Sequence, residues 1–186
     1  MNIGFAMCGS FCTYSQVFPV LEIIASIHTV TPIFSTAAYN TDSRFGSAKE
    51  HIERAEPICG TKVLYSISDV EPIGPKQLLD ALVIAPCTGN TIAKLAHSIA
   101  DGPVTMAAKS HLRNGRPILI AVSTNDALAG AAENIGKLLN KKNYYFVPFG
   151  QDDPIKKPTS MVADFTKLPR ALEMALNTKQ LQPILL

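Results

Sequence analysis

Four short stretches of this chain carry the residues best suited to hold an anion: Gly9-Ser10, Ser35-Thr36, Thr88-Gly89-Asn90-Thr91 and Ser123-Thr124-Asn125. Hydroxyls, amides and small residues ahead of a helix place free backbone N–H groups and the positive end of the helix dipole against a phosphate or carboxylate. The same residue types are common helix N-caps, so any one loop also reads as a cap. Four such loops at one edge favour a ligand. The chain has no GxxxxGK[ST] loop, and its first turn lacks GxGxxG, so neither common nucleotide fingerprint is present.

Other reactive types give a second tier. Arg44 has the planar fork that suits a carboxylate, although it also reads as a solvated loop residue. Asp152-Asp153 followed by Lys156-Lys157 reads as a self-paired surface loop, with docking of a second chain or covering of the site as the other reading. His51, His97 and His111 fall on polar helix faces and His28 near a helix end. None has a partner at metal spacing, so all four are expected at the surface and no metal site is expected. Cys12 and Cys87 lie in the candidate loops without an adjacent base, which suits packing against a ligand better than nucleophilic attack.

These loops need elements to position them. Apolar runs at 2–7, 29–34, 62–66, 81–85, 117–122 and 144–147 read as strands, with Pro32 the awkward member of the second. Helical spacing marks Val17, Val20, Leu21, Ile24 and Ile27, then a polar segment at 47–55, then Ile92, Leu95, Ala96 and Ile99. Asp101 should cap a further helix with Pro103 in its first turn. Ser123 to Asp126 should open a helix carrying Leu128, Ala131, Ala132, Ile135, Leu138 and Leu139. Residues 148–158 read as a loop, and 162–176 as the last helix. Alternating β and α units predict one α/β domain over 1–186: a doubly wound, Rossmann-like parallel sheet of about six strands with helices on both faces. Ligands in such sheets bind outside the carboxyl ends of the strands, which is where the four loops fall.

Composition agrees and excludes other classes. The chain has 186 residues, 47% hydrophobic but only 17% charged, with a net charge of +2. A low charged fraction suggests surface hidden in a homo-oligomer. Without a basic stripe, nucleic acid is not an expected partner, and no apolar run approaches the roughly 18 residues of a membrane span. Four cysteines without CxxC spacing, and no basic n-region at the start, suggest a reduced, cytoplasmic protein.

PCTGNTIAKLA, residues 86–96, resembles the PASANT motif of the homo-oligomeric flavin-containing cysteine decarboxylases, and AVSTND, 121–126, sits where that family carries PxMNxxM. GSFCTYSQVFP (9–19), NTDSRFG (40–46), IGPK (73–76), RPILIAVSTNDALAG (116–130), FVPFGQDDPIKKPTSMVADF (146–165) and QLQPIL (180–185) are similar to a related branch, the B subunits of bacterial dipicolinate synthases. The resemblance covers nearly the whole chain. It implies one component of an oxidoreductase that acts with the nicotinamide-binding A subunit of such synthases, the NAD(P) lying on that partner. Dihydrodipicolinate, or its hydroxylated precursor, would become dipicolinate in the mother-cell cytoplasm of a sporulating bacterium. It further implies a trimer-based homo-oligomer. FMN would lie on Gly9, Ser10, Ser35, Thr36, Thr88, Asn90 and Thr91, and a dicarboxylate substrate on Arg44, Ser123 and Asn125.

The chain departs from the decarboxylase pattern in ways that bear on chemistry. The position 14 residues before Pro86, where decarboxylases place a histidine, is Pro72, which can neither move a proton nor donate through its side chain. Val122 and Thr124 replace the proline and methionine of PxMN, while Asn125 remains, and the cysteine-containing lid has no match. Cysteine decarboxylation is not expected, and no residue is assigned as catalytic. Whether this chain uses FMN stays open. The alternatives are a non-catalytic binding or assembly component on a flavoprotein fold, and an FMN-dependent decarboxylase or prenyltransferase type.

Overall fold

A computed structural model describes residues 1–186. Its parallel strands are β1 (Asn2–Met7), β2 (Thr29–Phe34), β3 (Ala81–Cys87), β4 (Ile118–Thr124) and β5 (Tyr144–Phe146). Two further strands, β6 (Phe149–Asp153) and β7 (Lys157–Ala163), form an antiparallel hairpin. The spatial order is β2-β1-β3-β4-β7-β6, with β5 also on β4. The lower half of β4 pairs with β5 through residues 118–120, and its upper end, Ser123 and Thr124, pairs antiparallel with Val162 and Met161. The doubly wound α/β layout is therefore present as a seven-stranded mixed sheet rather than a purely parallel one of six.

The central strands form because they are apolar throughout. Every residue of β3 is buried, and in β4 only Thr124 is not. Such strands must be covered on both faces. Helices α1 (Tyr14–Ala25) and α8 (Leu168–Leu176) pack together on one face. On the other lie α4 (Ile67–Val70), α5 (Gly89–Ala96), α6 (Pro103–Leu112) and α7 (Ala132–Leu139). The short α2 (Thr36–Asn40) follows β2, and α3 (Ala48–Cys59) lies along β2 beside α1. Ser47 and Glu50 start α3 with a reciprocal capping box, 3.2 and 2.7 Å. Pro32 is accommodated because β2 is the outermost strand, pairing on its other side only through Leu64.

Several sequence expectations are corrected. The strand expected at 62–66 is one bridge, Leu64 to Ile33. Residues expected to open a helix at Asn125 form turns instead, because the Asp126 carbonyl accepts from both Ala129 and Ala131, and α7 starts at Ala132. Gly102, not Asp101, caps α6: Asp101 is held by the Lys94 ammonium at 2.9 Å, and Thr105 Oγ1 accepts from the Gly102 N–H at 3.2 Å. The last helix starts at Leu168, and 148–158 is largely the hairpin.

At the far rim the chain's tail joins the sheet. The Gln180 amide accepts from Phe146 N–H at 2.8 Å and donates to its carbonyl at 2.7 Å. Phe149 N–H donates to Ile184, and Leu186 N–H to Phe149.

Candidate functional site

The strand order places a switch point between β1 and β3, since the chain leaves these neighbours in opposite directions across the sheet. An open cleft of about 890 Å³ lies over the carboxyl ends of β1, β3 and β4. A cavity of about 310 Å³ adjoins it, and Gly9, Thr88 and Asn90 line both. The sequence candidates divide between them. Gly9, Ser10, Thr88, Asn90, Arg44, Ser123 and Asn125 line the cleft, while Ser35, Thr36 and Thr91 line the adjoining cavity. All ten are thus brought to one edge of the sheet.

Local bonding shows what each can still offer. Ser10 Oγ donates to the Ser123 carbonyl at 2.7 Å, tying the first loop to the fourth. Ser35 Oγ accepts from Ala38 N–H at 3.1 Å, and Thr88 Oγ1 from Thr91 N–H at 3.3 Å, so both are true N-caps. A capping hydroxyl acts as acceptor and keeps its own proton: that of Ser35 stays available, whereas Thr88 Oγ1 donates to Thr91 Oγ1 at 3.1 Å, whose own proton goes to Cys8 Sγ. The hydroxyl cap and ligand roles are therefore compatible at Ser35. The Thr88 cap also opens α5, whose first-turn glycine and asparagine edge the cleft.

Arg44 sits on a tight loop closed by paired Ser43–Gly46 backbone bonds of 3.0 and 3.2 Å. Its guanidinium lies over the Phe45 ring, 4.8 Å from the centroid, and it makes no ion pair. Gly46 has φ +125°, and a Cβ there would stand 2.8 Å from His51 Cε1, so the loop requires glycine for both reasons.

Three charged residues of the cleft were not singled out as site residues by sequence reasoning. Asp126 accepts from Thr124 Oγ1 at 2.5 Å and lies against Gly89, where a Cβ would come within 2.8 Å of the carboxylate. Its adjacency to Asn125 was the available signal. Asp152 and Lys157 enter from the hairpin, their side chains joined at 2.6 Å. That bond agrees with the self-paired reading of this loop and holds Lys157 above the usual lysine range. The Asp153 carboxylate shapes the tip by accepting from the Ile155 and Lys156 N–H groups at 3.1 and 3.0 Å.

The histidine and cysteine expectations divide. His97 is exposed, but His51 and His111 are buried, not at the surface. His51 is enclosed by Phe11, Tyr14 and Phe18, residues distant in sequence, and its Nε2 has no partner. His111 Nε2 lies 3.0 Å from the Pro117 carbonyl, and Nδ1 is unpartnered. Burial lowers the pKa of both from the ordinary 6.5. All four cysteines are free thiols. Cys12 lines the cleft, but Cys87 is the buried last residue of β3, its thiol pushed far up by desolvation. Cys8 is also buried, accepts from Thr91 Oγ1 at 3.3 Å, and is pushed up to about 11. No group of three or more His, Cys, Asp or Glu side chains is arranged to hold a metal. No helix is long and apolar enough to cross a membrane.

An open sheet with helices on both faces and a switch point at its carboxyl edge defines the doubly wound α/β class, and the chain belongs to the Flavoprotein family, whose model matches residues 1–168. Over 185 residues it is 47% identical to the dipicolinate synthase B subunit of Bacillus subtilis (strain 168), covering 99% of this chain and 92% of that one. The crystal structure of the dipicolinate synthase B subunit from Bacillus halodurans C matches with TM-score 0.91 and 44% identity, over 100% of this chain and 95% of the other. The FMN-dependent cysteine decarboxylase SpaF shares the fold, with TM-score 0.69 and 22% identity over 96% of each chain.

Proposed function

We propose that this chain is the flavoprotein-fold component of a two-chain dipicolinate synthase and holds the dicarboxylate in its carboxyl-edge cleft. The observation that carries the reading is the meeting of Arg44, Asn125 and the hydroxyl-rich loops in one cleft of a chain 47% identical to a dipicolinate synthase B subunit. Arg44 has no carboxylate partner and offers a paired donor face, and the Asn125 amide can donate two hydrogen bonds. Thr159 Oγ1 donates to the Asn125 carbonyl at 2.7 Å, which fixes the backbone from which that amide projects. Aromatisation of the dihydro ring removes a hydride and a proton. The hydride acceptor is assigned to NAD(P) on the partner chain, and this chain orients the ring and its carboxylates.

The residues present also fit the phosphate of FMN. Gly9, Ser10, Ser35, Thr36, Thr88, Asn90 and Thr91 form a neutral cradle of small polar residues ahead of helices, in which the Ser35 capping hydroxyl keeps its proton to donate. When bound, FMN would supply two-electron redox chemistry next to the carboxylate-binding groups. A trimer-based homo-oligomer and a cytoplasmic setting accompany this reading.

The test is turnover with the partner chain alone, this chain alone, and both, with dihydrodipicolinate or its hydroxylated precursor supplied. Dipicolinate should form at full rate only with both chains. Full turnover by the partner alone would remove the substrate role assigned here.

A further inference from the structure

The charged groups of the cleft balance: Arg44 and Lys157 against Asp126 and Asp152. A doubly charged ligand entering such a site needs two cations free to meet it. Arg44 is free already. Lys157 is engaged with Asp152 at 2.6 Å, but both partners belong to an exposed hairpin and both side chains reach the solvent. An exposed ion pair is weak because water competes for each charge. Exchanging it for a ligand carboxylate therefore costs little. The topology places the two cations on opposite flanks. Arg44 follows α2 on the β2 side, whereas Lys157 begins β7, across β4.

We infer that Lys157 is the second carboxylate-holding residue of the site. It leaves Asp152 for one carboxylate of the ligand while Arg44 and Asn125 hold the other. Asp152 is then a resident competitor that sets affinity, and the hairpin is the element that discriminates a dicarboxylate from a monocarboxylate. This rests on the reading of the cleft as a dicarboxylate site.

Titration of the full chain, alone and with its partner chain, with dipicolinate and with picolinate separates the two claims. Wild-type protein should prefer dipicolinate. Lys157→Gln should cut that preference at least about fivefold with picolinate affinity unchanged, and Lys157→Arg should restore most of it. Asp152→Asn should strengthen dipicolinate binding by about threefold or more, because the competitor is neutralised. A hairpin that acted only as scaffold would instead weaken both ligands in both variants. Retained preference in Lys157→Gln, or unchanged or weaker dipicolinate binding in Asp152→Asn, overturns the role of Lys157 and leaves the site reading standing. Wild-type protein that binds neither acid under either condition overturns both.

Discussion

The sheet has two unlike parts above the same cleft. The parallel part, β2-β1-β3-β4, is buried on both faces and presents its ligand-facing groups as backbone turns and helix caps. The antiparallel hairpin, β6 and β7, is largely exposed and presents ionic side chains paired to each other. Groups fixed by a packed core are positioned before a ligand arrives. Groups on a solvated hairpin are adjustable but make weak pairs in water. The cleft thus joins a preset anion cradle to an adaptable charged flank, and each can be perturbed separately.

The largest effect should come from the parallel part. Phe5, 1% exposed in β1, is among the largest fully buried side chains of the core. Phe5→Ala should lower stability by about 3–5 kcal/mol in urea unfolding. Ile155 at the hairpin tip is 91% exposed, and Ile155→Ser should stay within about 0.5 kcal/mol of wild type. Comparable losses from the two substitutions would dissolve the contrast.

Next is Asn125→Asp, which keeps the volume but replaces donors by a charge facing an anion. Loss of a hydrogen bond to a charged group is worth roughly 1.5–3 kcal/mol, so kcat/KM of the two-chain enzyme should fall at least about tenfold. Unchanged kinetics in a folded, assembled variant would reduce Asn125 to a turn residue.

A smaller effect concerns pH. In the folded chain burial disfavours charged His111, whose only bond is from one ring nitrogen to Pro117. The unfolded chain therefore binds a proton at higher pH than the folded one, so this contribution is complete above about pH 6.5 and is lost as pH falls below it. His51 acts in the same direction. The melting midpoint should drop between about pH 7.5 and 5.5, with a shallower drop in His111→Asn. Equal slopes would show that His111 does not contribute.

The smallest is the stability effect of Lys157→Gln. Its ion pair is solvated, so the midpoint should move by less than about 3 °C while ligand selectivity changes. A large shift in melting would make the hairpin structural.

The parallel part was legible in sequence because continuous apolar runs such as residues 81–85 admit few other environments. The hairpin was not, because β6 is mostly polar, the first half of β7 is exposed, and Pro158 breaks the strand signal. At the site, small polar residues ahead of helices marked the cradle. Asp126 and the Asp152–Lys157 pair were missed as site residues because the fold, rather than their spacing, puts them in the cleft. The buried histidines failed for the same reason: His51 lies on a polar helix, and its burial depends on aromatic rings from the first loop and α1.

The Gln180 amide that grips both backbone groups of Phe146 has a consequence beyond local bonding. An open sheet is a template at each free rim, where bare N–H and C=O groups recruit strands from other copies. Here Gln180 acts as a single-residue strand on β5, the last residues of the tail lie along β6, and Leu64 with Pro32 blunts the β2 side. Each rim is thus capped over part of its length by the chain's own segments. Where these caps sit, a strand from another copy finds no bare backbone groups to pair with.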